Sequence, residues 1–110
     1  MAQLMLRPRV VLLERDARRA RRIANVLAPI ADVSVAYHLE EAVADFESQP
    51  HAVLICRGAC AAQARAALPN AKIVTHSGDG AAQNDHLNLN VAGPPQLASA
   101  VMRLFRRTAT

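Results

Sequence analysis

Aromatic rings are scarce in this chain: there is no tryptophan, one tyrosine and two phenylalanines in 110 residues. Few platforms exist on which nucleic-acid bases could stack, and the core must be built from Leu, Ile, Val and Ala. Lysine is almost missing too. Twelve arginines against the single Lys72 carry a formal charge of +4. Set beside the many alanines, that bias is the mark of a GC-rich coding sequence, and it gives only weak, salt-sensitive attraction to nucleic acid. No helix-turn-helix is found, so no nucleic-acid partner is expected. No apolar run approaches the roughly 20 residues of a membrane helix, and segment 1–8 is too short and too polar for a secretory signal. A cytoplasmic location with no membrane partner is expected. Cys56 and Cys60 are the two cysteines, and they lie too close together to staple distant parts of a secreted scaffold. No glycine-rich phosphate loop, paired catalytic carboxylates or nucleophile–base–acid arrangement occurs. Neither an enzyme, a cofactor nor a metal site is therefore expected.

What is present is one globular domain, 1–110, with its core at about 9–107. The chain is long enough to bury a core without metal or disulfide staples, and 52% hydrophobic residues argue against disorder. Segment 9–14 is a continuous apolar run closed by Glu14, the pattern of a parallel strand covered on both faces. Asp16 then caps a helix whose apolar stripe is Ala20, Ile23, Ala24 and Leu27, and Pro29 ends it. Segment 31–36 alternates as a second strand. Segment 39–48 is a helix with Ala42, Val43 and Phe46 toward the core. A third strand at 52–56, an alanine-rich helix at 58–67 and a fourth strand at 71–76 follow. Segment 78–86 reads as a loop. A short strand at 87–92 precedes a turn at 93–95, where Pro95 suits the start of a last helix running to about Arg107. Its buried stripe is Leu97, Val101, Leu104 and Phe105.

Five strands alternating with helices predict an α/β three-layer αβα sandwich. The parallel sheet takes the flavodoxin-like order 2-1-3-4-5. Any site then lies at the carboxyl ends of strands one and three. Glu14, Arg15 and Cys56 are expected to meet there.

Four landmarks in order resemble the receiver domain of bacterial two-component response regulators over almost the whole chain. Residues 9–16, Arg-Val-Val-Leu-Leu-Glu-Arg-Asp, are similar to its first strand and acidic cluster. Residues 52–56, Ala-Val-Leu-Ile-Cys, are similar to the strand that delivers the phosphate-accepting aspartate. Residues 73–78, Ile-Val-Thr-His-Ser-Gly, are similar to the strand ending in the switch hydroxyl, here Ser77. Residues 91–97, Val-Ala-Gly-Pro-Pro-Gln-Leu, are similar to the segment that normally holds a lysine before the last helix. The spans between these landmarks look shorter than is usual, so the third and fourth helices are expected to be trimmed.

The resemblance implies metal-assisted phosphoryl transfer to a carboxylate, and the departures from it undercut that chemistry. Cys56 stands where the acceptor would be, Arg15 where a metal-binding acid would be, and Gly93 where the lysine would be. Ser77 survives with nothing to detect. A fixed cation in a metal ligand's place repels Mg²⁺. The expected protein is a non-phosphorylatable receiver-like domain that acts by protein contact. Arg15 would either reach Glu14 and lock one conformation or point to solvent at the start of its helix.

Arg15, Arg18, Arg19 and Arg22 fall on one helical stripe. Guanidinium groups suit bidentate recognition of carboxylate or phosphate, although a solvated basic face is the commoner outcome. Because the resemblance places this helix on the docking surface of receivers, the expected partner is a histidine kinase, a phosphotransfer protein or an adjoining domain. Arg103, Arg106 and Arg107 would extend the surface, and a dimer stays open. An alternative is a receptor for cyclic di-GMP, since Arg-x-x-x-Arg spacings occur at Arg15/Arg19, Arg18/Arg22 and Arg103/Arg107. A third is a thiol redox sensor at Cys56 and Cys60, with Arg57 and a helix start lowering the thiol pKa and His76 nearby.

Overall fold

The computed structural model describes residues 7–49, 52–76, 88–91 and 94–109, with side chains described over 7–49, 52–76 and 96–103. The elements in chain order are β1 (Arg9–Leu13), α1 (Ala17–Leu27), β2 (Asp32–Ala36), α2 (Leu39–Ser48), β3 (Val53–Arg57), α3 (Ala61–Ala67), β4 (Lys72–His76), β5 (Asn88–Val91) and α4 (Pro94–Ala109). One 3-10 turn, Gly58–Cys60, leads into α3. The expected loop at 78–86 lies outside the described residues.

All pairings are parallel, and the sheet runs β2-β1-β3-β4-β5. The apolar run of β1 explains its place: Val10, Val11 and Leu12 are fully buried, which requires cover on both faces. On one face α1 and α4 bring Ala20, Ile23, Leu27, Leu97 and Val101 onto Val10, Leu12, Val53, Ile55 and Val74. On the other, α2 and α3 bring Ala42, Phe46 and Ala64 onto Val11, Leu13, Leu54, Cys56 and Ile73. Each buried Leu or Ile contributes roughly 1.5–3 kcal/mol, and no ring beyond Phe46 is needed among the buried side chains described.

Helix α1 starts as its sequence requires. The Asp16 carboxylate accepts the Arg18 and Arg19 backbone N–H groups at 2.9 and 3.2 Å, and these bonds hold its pKa below the ordinary carboxylate value. At the other end Arg7 donates at 2.7 Å to the Ala28 carbonyl, an acceptor that the helix cannot satisfy itself, and at 3.0 Å to the Ala31 carbonyl just before β2. Ala24 and Val43, expected in the core, are half-buried. Of the last helix's expected stripe, Leu97 and Val101 are fully buried. The side chains of Leu104 and Phe105 lie outside the described residues.

Candidate functional site

The carboxyl ends of β1, β3 and β4 bring three polar side chains to one place. Register pairs Arg57 with His76, and β1 pairs Leu12 with Ile55, so the next inward position of β1, Glu14, falls beside Arg57. Glu14 is 3% exposed and His76 2%. Glu14 Oε2 accepts the Asp16 backbone N–H at 3.1 Å and Arg19 Nη1 at 3.3 Å. Glu14 Oε1 faces His76 Nε2 at 3.6 Å, longer than a hydrogen bond. Glu14 Oε1, His76 Nε2 and Arg57 Nε are buried polar atoms without a hydrogen-bond partner among the described residues. His76 is held below its ordinary pKa, chiefly by burial; Glu14 pulls it back up, while Arg57 and Arg19 push it down.

Cys56 does not share this pocket. Neighbouring residues of a strand point to opposite faces, so Cys56 turns into the α2/α3 core beside Leu13 while Arg57 takes the Glu14 side. The strand also runs one residue further than expected and ends on a guanidinium. β3 carries no carboxylate at any position. The Cys56 thiol is fully buried, and burial pushes its pKa up to about 12, with Cys60 adding and Arg65 opposing. The expected lowering by Arg57 and a helix start is overturned, because desolvation outweighs a charge on the other side of the sheet. Both cysteines are free.

Arg15 is exposed and has no hydrogen-bond or ion-pair partner among the described residues. The arginine that reaches Glu14 is Arg19, one turn later, which the sequence had assigned to the solvent-facing stripe. The available signal was a buried strand-end carboxylate five positions before a helical arginine. Arg18, Arg21 and Arg22 are exposed, as is Arg103. The Arg15/Arg19 spacing thus does not present two free guanidinium groups. The side chains of Arg106 and Arg107, together with Ser77 and Gly93, lie outside the described residues.

Beside Glu14 a cleft of about 530 Å³ opens over the ends of β1, β2 and β3. Arg15, Arg57, Tyr37, Leu39 and Gln63 are among the residues lining it. Tyr37 is the one large hydrophobic side chain exposed among the described residues, at 42%. No cluster of three or more potential metal ligands occurs among the described residues, and no helix there is long and apolar enough to cross a membrane.

An αβα domain with a parallel sheet ordered in this way and a cleft at its switch point is CheY-like in fold. The solved structure of a CheY-like protein, TadZ, from Pseudomonas aeruginosa PAO1 matches with a TM-score of 0.56 at 21% identity, covering 91% of this chain and 94% of that one. No protein-family model and no curated protein matches the chain.

Proposed function

We propose that this domain is a receiver-like signalling module that has lost the phosphoryl switch and acts through protein contact in the bacterial cytoplasm. The observation that carries this is the end of β3. The strand that would deliver a phosphate-accepting carboxylate ends Ile-Cys-Arg, with the thiol in the core and the guanidinium toward Glu14. Glu14 supports it further, since its inward carboxylate is already held by Arg19. Mg²⁺ demands several oxygen ligands, and among the described residues this arrangement sets the one unengaged Glu14 oxygen, Oε1, among the cations Arg19 and Arg57.

The exposed arginines of α1 supply the contact face. Arg18, Arg21 and Arg22 share a helix that contains no acidic residue, so they repel one another in the free domain and gain from an acidic partner. A histidine kinase, a phosphotransfer protein or an adjoining domain presents such a surface. Incubation of the whole chain with acetyl phosphate and Mg²⁺ is expected to leave its mass unchanged. An acid-labile phosphate adduct on a carboxylate defeats the proposal.

A further inference from the structure

Of the three half-buried arginines among the described residues, two have partners. Arg19 is held by Glu14, and Arg65 donates to the Pro69 and Ala71 carbonyls at 2.9 and 2.8 Å. Arg57 has none, and its Nε is buried. A partly desolvated cation without a counter-charge is costly unless something else supplies the negative charge. Arg57 lines the cleft above the strand ends, and Arg15, also without a partner, lines it too. Glu14 falls beside Arg57 but makes no ion pair with it: Oε2 is engaged by Arg19, and Oε1 faces His76. Glu41, at the start of α2, is likewise engaged: its Oε1 accepts the Tyr37 and His38 backbone N–H groups at 2.8 and 3.1 Å.

The remaining lining describes the rest of an occupant. The exposed Tyr37 ring and Leu39 offer a flat apolar wall, and the Gln63 amide offers both a donor and an acceptor. The cleft's 530 Å³ lies within the roughly 300–1,000 Å³ of small-molecule sites. Two guanidinium groups suit a phosphate through paired N–H donation, and an aromatic wall suits a base.

We propose that this cleft binds a nucleoside monophosphate non-covalently, with Arg57 and Arg15 on the phosphate and Tyr37 against the base. The site meets the α1 contact face at Arg15, which the sequence places on one stripe with Arg18 and Arg22, but it rests first on Arg57 and Tyr37, which that face does not include. Calorimetric titration of the whole chain at low ionic strength, using AMP, GMP, guanosine and inorganic phosphate as probes, tests it. One saturable site is expected for a monophosphate. Affinity should fall about tenfold or more in Arg57→Gln, and by several-fold in Arg15→Gln and Tyr37→Ala. Guanosine and phosphate alone should each bind at least about tenfold more weakly than GMP. Arg15 is exposed, so Arg15→Gln stays informative even if Arg57→Gln fails to fold. Absence of saturation by either nucleotide at millimolar concentration overturns the proposal. So does binding left unchanged by Arg15→Gln and Tyr37→Ala, and so does phosphate alone binding as tightly as GMP.

Discussion

The two faces of the sheet end differently, although one-residue steps separate them. Toward α2 and α3 the strands finish with Leu13 and Cys56, both buried and uncharged. Toward α1 and α4 the very next residues are Glu14 and Arg57, joined by His76 of β4. A receiver concentrates acid at these strand ends. Here one face is sealed with apolar groups and the other is filled by a charge cluster that includes its own cations. Chemistry at a strand end is therefore decided as much by the parity of a residue as by its type.

The sharpest way to break this contrast is to put charge on the neutral face. Cys56→Asp would bury a carboxylate on a face where the cation it feels, Arg65, is already engaged by the Pro69 and Ala71 carbonyls, and stability should drop by about 3 kcal/mol or more. Cys56→Ala should lose only about 1 kcal/mol. Urea denaturation of the two variants compares them directly, and a stable Cys56→Asp would mean that the two faces are not electrostatically distinct.

On the charged face, Arg19→Ala removes the guanidinium from a carboxylate that stays buried. A loss of about 1–2 kcal/mol is expected, moderated because the Arg19 side chain is 37% exposed. Arg18→Ala, one residue away and solvent-facing, should stay within about 0.5 kcal/mol. Equal denaturation midpoints for the two would remove Arg19 from the cluster.

Between pH 8 and 5 the effect of pH should be smaller and should come from His76. Its folded pKa lies below the ordinary 6.5, so the unfolded chain binds the proton more readily. The stability contribution is complete above about 6.5 and is lost as pH falls toward the folded value. Thermal melts from pH 8 to 5 should show this decline, and His76→Gln should flatten it. A decline of equal slope in the variant would assign it elsewhere.

The least effect on stability is expected from thiol chemistry. Cys60 is half-buried and should alkylate with iodoacetamide at pH 8, whereas Cys56, with its thiol pushed up to about 12, should react only after unfolding. Peptide mass mapping distinguishes the two. Rapid native labelling of Cys56 would restore a sensing role.

Much of this was legible in the amino-acid order. The unbroken apolar run of β1, the Asp16 cap, the stripe Ala20–Ile23–Leu27 and the strand–helix alternation lead to a parallel α/β fold by local rules of period and capping. Right-handed crossovers narrow the possible strand orders, and the order from β2 through β4 is one that they allow. The absence of a carboxylate from β3 is likewise readable without coordinates.

Local rules could not say which of Cys56 and Arg57 ends the strand, since a boundary shift of one residue costs little locally, nor which of the two turns toward Glu14, which the pairing register decides. Nor could they pick Arg19 over Arg15 as the partner of Glu14. That choice depends on where α1 leaves the sheet and on which guanidinium can reach a carboxylate already shut away from water. Composition and periodicity settled the scaffold because they act through neighbours in the chain. Packing alone decided the site, because charges brought together from β1, α1, β3 and β4 meet only once the core has closed around them.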